Sequence, residues 1–378
     1  MKFKNLKYIT YQVFPNEKAN TLQTVRMLES LSNCGLNVTL IFPDREKRFK
    51  GDDSVNSFYN VKTKFSIETV KHYLPFNRFL YFEKFNFVFS NFFWSLYTVN
   101  KVIRNQLNEE VFMTRTHWIL YFLNKKNKIT IFECHKYSKI DQFVLSSLKN
   151  ENNVLLIFTN KTLRDAFNIS KNLLNNSIIL ESAFDERQFK DKNKTKIDKN
   201  IVFIGRLLRF NIERNIDFLI KAFSDMRLQE FKLKIVGGPN SLISEIKNKL
   251  TSKNVELLGH LSHNQAVDVL NESEIGILIN PDDEHSNYYT SPIKYFEYER
   301  GGVKICSTNV PAHKNLPIQD NIYYFEKNDL ESFVNSILQA SKSPFILNKK
   351  INEFSYENRA KKLINSLARL EGLEPPTL

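Results

Sequence analysis

The sequence predicts two successive α/β domains, each built on a parallel sheet. Three observations carry this. Short apolar runs alternate with amphipathic stretches of helical period through both halves. The alternation stops at one polar run, residues 190–200 (KDKNKTKIDKN), and then restarts. At 378 residues, the chain is long enough for two separate cores.

The elements follow in order. LKYITYQVF reads as a strand, NTLQTVRMLESLSNCG as an amphipathic helix closing at Gly35, and LNVTLIFPD as a second strand. That βαβ unit implies parallel pairing. KITIFEC and NVLLIFTN read as buried strands, with helices at about 137–149 and 161–169, and NSIILESAF as the last strand and turn of this half. After the polar run come IVFIG, a helix near 214–225, FKLKIVGG, a helix near 240–251, VELLG, a helix near 263–272, IGILIN, a helix opening at Pro292, and VKICST. The expected division is 1–195 and 196–350, both Rossmann-like. In 351–378 a last helix, about 356–370, is expected to pack back on the first domain, ahead of an unstructured tail.

Composition narrows the classes. With 42 % hydrophobic and 13 % aromatic residues the chain is globular, not disordered. Lys and Arg number 54 against 41 Asp and Glu, a formal charge of +13 that suggests anionic partners. A coding bias toward Lys, Asn, Ile and Phe accounts for part of that excess. Three scattered cysteines (Cys34, Cys134, Cys306) without CxxC spacing point to a reducing compartment and away from structural zinc. The basic start carries too short an apolar run for a signal peptide. No apolar stretch reaches the ~20 residues that cross a bilayer. The expectation is a cytoplasmic protein, soluble or resting on a membrane surface. The segment His72 to Arg104 interleaves Phe, Tyr and Trp with Lys and Arg. It reads either as ordinary core and surface or as a face for a membrane or an apolar acceptor. A nucleic-acid stacking platform is the weaker third reading, since no binding motif accompanies it.

The chemistry-bearing residues gather in the second half. Gly205 and the arginines Arg206, Arg209 and Arg214 follow IVFIG, where a tight turn lets a phosphate approach and guanidinium forks match its geometry. A solvated basic loop is the plain alternative. In SPIKYFEYERGG, Ser291 reads as an N-cap and Pro292 as the first helical residue. Lys294 then stands in the first turn, at the positive end of the macrodipole. A bound anion would explain a cation there. Glu297 lies near the same face and could accept hydrogen bonds from sugar hydroxyls.

Taken together, GRLLRFNIERNIDFLIKAF, LKIVGGPN, VELLGHLSHNQAVDVLNESEIGILINP and SPIKYFEYERGGVKICSTNVPAHKNL resemble the donor-binding domain of family 4 glycosyltransferases. The N-terminal FPNEKANTLQTVRMLESLSNCGLNVTLIFP and the turn SAFDERQF resemble their acceptor domain, so the likeness spans roughly residues 7–340. The resemblance implies a GT-B fold, two Rossmann-like domains facing a central cleft, and retaining transfer from a nucleotide sugar. It further implies that Arg206 binds the donor diphosphate and that Arg214 stands where the family usually has lysine, after a loop slightly longer than usual. Glu297 matches the second glutamate of the family's E-x7-E motif, which holds the ribose. Ser291 and Ile293 fall where backbone amides face phosphate or sugar, Asn20 in the glycine-rich first loop bordering the cleft, and His135 near the transferred sugar. Arg115 and Glu133 read as cleft residues or as structural ones.

One departure stands out. Tyr289 replaces the first glutamate of E-x7-E, which puts the donor-sugar contacts in question, although some members with this helix start lack that acid too. The PDDE run (281–284) reads as a loop rather than a magnesium site, and neither metal nor cofactor is expected. The expected partners are a nucleotide-sugar donor, a glycan, lipid-linked or small acceptor, and a peripheral membrane contact, with no nucleic acid. Bacterial surface polysaccharide synthesis is the expected setting. Two competing readings remain. A nucleotide- or sugar-binding protein without turnover would bind donors and not transfer. A nucleic-acid binder would show affinity falling steeply with salt.

Overall fold

The computed structural model describes residues 3–45, 49–72, 83–104, 109–189, 196–209, 212–250 and 252–370. The chain divides into two compact units, Met1–Glu181 with Tyr356–Leu378, and Ser182–Ser355.

The first unit opens with β1 (Asn5–Ile9), α1 (Ala19–Asn33), β2 (Asn37–Pro43), α2 (Asp52–Tyr59) and β3 (Ser66–Val70). Next come α3 (Glu83–Arg104), β4 (Glu110–Thr114), α4 (His117–Lys125) and β5 (Thr130–Cys134). The alternation ends with α5 (Lys139–Ser146), β6 (Val154–Phe158), α6 (Lys161–Asp165), α7 (Lys171–Asn175) and β7 (Ser177–Ile179). The seven strands form one sheet in the order β3-β2-β1-β4-β5-β6-β7, every pair parallel. β4, β5 and β6 are buried at every position, which is why they read as continuous apolar runs.

The second unit has β8 (Ile197–Ile204) and a small hairpin, β9 (Leu208–Arg209) with β10 (Ile212–Glu213). α8 (Ile216–Ala222), β11 (Lys232–Val236), α9 (Asn240–Lys249), β12 (Val255–Gly259), α10 (His263–Glu272) and β13 (Ser273–Leu278) follow. α11 (Ile293–Arg300), β14 (Lys304–Thr308), α12 (Pro311–Lys314), β15 (Ile322–Phe325) and α13 (Leu330–Lys342) complete it. Its main sheet runs β12-β11-β8-β13-β14-β15, again all parallel. Each sheet therefore reverses its strand order beside its first strand, between β1 and β4 and between β8 and β13. Ligands in such sheets bind outside the carboxyl ends of the strands at that switch point.

The second unit is bounded differently from the sequence expectation, ending at Ser355 rather than at 350. The second unit begins at Ser182, not at 196. Ser182 donates its N–H to Ser291 Oγ at 3.0 Å, and Phe184 bridges to Ser355, so SAFDERQF belongs to the second unit. Of the polar run, 190–195 lies outside the described residues, and its end is already the start of β8. The last helix, α14 (Tyr356–Leu370), belongs to the first unit. Its Ala360, Leu363, Ile364 and Leu367 join Val25, Leu28 and Leu31 of α1 in one buried cluster. That apolar stripe recurs at helical spacing, and burying it ties the chain's end to its start.

Candidate active site

In the second unit, two glycine turns interlock at the ends of β8 and β11. Gly205 donates to Val236 O at 2.9 Å, and Leu207 donates to Gly238 O at 3.0 Å. Gly237 has φ +152°, and a Cβ there would stand 1.8 Å from the carbonyl oxygen of Gly205. Only glycine permits that approach. The clasp fixes the backbone on which Arg206 stands. Arg206 itself is exposed and makes no hydrogen bond or ion pair among the described residues.

Arg214 reaches the same place from the far side of the hairpin. Its N–H donates to Leu207 O at 2.9 Å, which closes the β9–β10 ribbon. Its guanidinium lies over Gly205, where an added Cβ would come within 2.7 Å of Nη1. The longer loop expected from the sequence is this hairpin; its tip, 210–211, and the side chain of Arg209 lie outside the described residues. Below the turn, Tyr298 of α11 accepts from Ile204 N–H at 3.3 Å and donates to Ile277 O at 3.4 Å. Burial raises the phenol's pKa, and the charge of Arg214 opposes that. The helix is thereby pinned to β8 and β13 together.

The start of α11 corrects one expectation. Pro292, not Ser291, is the N-cap, and Ile293 is the first helical residue. Ser291 Oγ is taken by Ser182 N–H, and Ser182 Oγ donates to Ser291 O at 2.7 Å. The first-turn amides of Ile293 and Lys294 have no acceptor within the helix. Lys294 answers the sequence puzzle in part from within the helix. Its Nζ donates to Glu297 Oε2 at 2.5 Å, and that carboxylate is only 3 % exposed. The lysine at the positive helix end is neutralised by a buried carboxylate one turn on. His263 Nε2 stands 3.8 Å from the other oxygen of Glu297.

Tyr289 ends a π-helical turn, His285–Tyr289, and its hydroxyl donates to Glu284 at 3.1 Å. The neighbouring acids serve structure. Asp283 accepts from Ser286 N–H and Oγ at 2.9 and 2.7 Å, and Asp282 takes Lys327 and Asn287.

In the first unit, one buried carboxylate organises the strand ends. Glu133, 1 % exposed at the end of β5, takes Arg115 Nε at 2.7 Å and Arg359 Nη2 at 2.6 Å. His135 Nε2 stands 3.1 Å from it. Burial works to raise the Glu133 pKa, but Arg115, Arg359 and His135 overcome that and hold it well below the ordinary range. His135 moves the other way: burial, reinforced by Arg115, lowers it to about 4, so the imidazole is neutral near pH 7. Arg115 also donates to Asn20 O at 3.4 Å. Asn20 stands in the first turn of α1 rather than in a loop, with its side chain exposed. Asn20, Arg115, Glu133 and His135 thus meet at the carboxyl ends of β4 and β5.

Solved structures share this architecture along the whole chain. Trehalose-6-phosphate from E. coli bound with UDP-2-fluoro glucose aligns at TM-score 0.67 and 10 % identity, covering 98 % of this chain and 100 % of that one. Sucrose-phosphate synthase from Thermosynechococcus elongatus aligns at 0.68 and 13 %, covering 98 % and 99 %. A lipopolysaccharide outer core galactosyltransferase in its apo form aligns at 0.64 and 13 %, covering 97 % and 99 %. At such identities these are likenesses of fold. No curated protein matches the chain in sequence. Residues 198–343, from β8 to the end of α13, match the family model for glycosyl transferases group 1.

Residues 198–343 thus form a glycosyl transferases group 1 domain, within a fold that the chain shares with these solved structures.

Within the second unit, the fold brings together Gly205, Arg206 and Arg214 at one clasp. Ser291, Ile293, Lys294 and Glu297 gather at one helix start. Sequence reasoning missed Arg359, which reaches Glu133 from 226 positions away. It also missed His313, fully buried after β14 and bonded to Ser307 and Asn280. No local pattern signals either.

Proposed function

We propose that this protein is a retaining glycosyltransferase of family 4. It would move a sugar from a nucleoside diphosphate to a glycan, lipid-linked or small acceptor in surface polysaccharide synthesis. The observation that carries the reading is the Gly205–Gly237 clasp, with exposed Arg206 on it, Arg214 over it and the α11 amides in the same unit. Cleaving the anomeric C–O bond puts negative charge on the departing diphosphate. Arg206 and Arg214 supply fixed cations for that charge, and the first-turn amides of Ile293 and Lys294 supply donors. In front-face displacement the acceptor oxygen forms its bond to the anomeric carbon on the side the diphosphate leaves, and the acceptor proton passes to the leaving phosphate oxygen. Glu297, held by Lys294, would accept from the ribose hydroxyls. Neutral His135 would hydrogen-bond a sugar hydroxyl. With Asp282 and Asp283 engaged in the loop, the reading asks for no metal there.

A thermal-shift screen against UDP-, GDP- and ADP-sugars tests the donor, followed by turnover of the one that stabilises. The double variant Arg206→Ala/Lys294→Ala is expected to abolish both the shift and the turnover while keeping its secondary structure. Unchanged affinity and turnover in that variant would sink the proposal.

A further inference from the structure

We infer that Asn280 binds the donor and that buried His313 aims it: the Asn280 amide oxygen takes a hydrogen bond from a hydroxyl of the nucleotide sugar. The inference rests on the transfer proposed above. Asn280 is half-buried and stands just past the carboxyl end of β13. Ile277 of β13 pairs with Phe203 of β8. Three residues further along the two strands come Asn280 and Arg206, at the switch point of the second sheet, where ligands bind.

His313 is fully buried and held at every polar atom. Its carbonyl accepts from Tyr324 Oη at 2.9 Å and from Gln319 Nε2 at 3.2 Å. Its N–H donates to Val310 O at 3.0 Å. In the ring, Nδ1 stands 2.8 Å from Ser307 Oγ and 3.2 Å from Thr308 O, and Nε2 stands 3.1 Å from Asn280 Nδ2. A buried polar chain satisfied this completely rigidifies what it holds.

The same contacts fix the proton. Burial lowers the ring's pKa to about 4, so it keeps a single N–H near pH 7. Thr308 O can only accept. The Ser307 hydroxyl donates to that carbonyl at 3.3 Å, which leaves its oxygen to accept as well. Nδ1 therefore carries the hydrogen, and Nε2 offers a lone pair. Only the amide nitrogen of Asn280 can face a lone pair, so the amide oxygen is turned the other way. That oxygen has no partner among the described residues. It needs a donor. The diphosphate beside Arg206 would carry none near pH 7, so the hydroxyl comes from one of the groups flanking it, the transferred sugar or the ribose.

Two measurements test this. Nitrogen-15 spectra of the imidazoles, with His313→Gln to assign the signal, should show His313 as the Nδ1–H tautomer near pH 7. The Nε2–H tautomer would turn the Asn280 oxygen toward the ring and overturn the inference. Affinity is then read with whichever of UDP-, GDP- and ADP-glucose most stabilises the wild-type chain. Asn280→Ala should weaken it about tenfold, the loss of one hydrogen bond. His313→Leu, which removes the lone pair, should do the same, whereas His313→Gln, whose amide oxygen can still accept from Asn280, should keep most of the affinity. An equal loss for the nucleoside diphosphate alone assigns the hydroxyl to the ribose; a loss confined to the nucleotide sugar assigns it to the transferred sugar. Unchanged affinity in Asn280→Ala overturns the inference and leaves the proposed transfer standing. Failure of all three nucleotide sugars to stabilise the wild-type chain removes both.

Discussion

The strand ends of the two units handle charge in opposite ways. In the first unit every charge of the cluster is answered from within the chain: Glu133 by Arg115, Arg359 and His135. In the second unit Arg206 stands exposed on a rigid turn with no partner among the described residues. A charge network closed on itself is a structural device. On the function proposed above, an exposed guanidinium on a glycine clasp is held ready for an anion. Removing a partner should therefore cost stability in the first unit and activity in the second.

The largest effect expected is from Glu133→Ala, which strands two guanidinium groups in the first unit. Losing the common partner of a buried ion network costs about 3–5 kcal/mol. Denaturant unfolding should show it, and a loss under about 1 kcal/mol would mean that water already shares those charges.

Arg206→Ala should do the reverse. As a surface change it should alter stability by no more than about 0.5 kcal/mol. Removing a preorganised donor to a leaving group costs about 10²–10³-fold in turnover. Equal turnover would show that Arg206 is no more than a solvated cation, and the contrast between the units would fail.

Gly237→Ala sharpens the same contrast by leaving both arginines in place. Its Cβ would stand 1.8 Å from Gly205 O, so the turn beneath Arg206 must move. A stability loss of about 1–3 kcal/mol is expected, with turnover falling alongside it. Full turnover in a destabilised variant would show that the clasp supports the fold but does not aim Arg206.

How far these features were legible follows from the range of the interactions that make them. β1, α1 and β2 were readable because burial imposes its period within a few residues. So were α10 and α14. The start of α11 was misplaced by one residue because Ser182, 109 positions earlier, claims the Ser291 hydroxyl that a local reading gives to the helix. The unit boundary at 182 was hidden for a like reason: SAFDERQF belongs to the second unit through contacts with Ser291 and Ser355. Arg206 and Arg214 could be named from the sequence. The hairpin that lays Arg214 over Gly205 could not, since two-residue strands carry no periodicity. Glu133 and Arg115 could be named but not ranked, because their partner Arg359 lies on the last helix.

The smallest effect expected separates the units by pH. Burial lowers His135, and also His72 of the same unit and His313 of the other, from the ordinary 6.5 to about 4. Each imidazole stays neutral when native and takes a proton on unfolding below pH 6.5. Stability from each is therefore complete above 6.5 and is lost as pH falls toward 4. One such proton is a slope of about 1.4 kcal/mol per pH unit within that window. Glu133, held below its ordinary value, adds a loss of the same sign only under about pH 4.5. Urea titrations between pH 7 and 5 should therefore show a shallower slope for His135→Gln in the first unit's transition, with His72 supplying what remains. His313→Gln should flatten only the second unit's transition. If His135→Gln leaves the first slope unchanged, the imidazole is not held neutral beside Glu133.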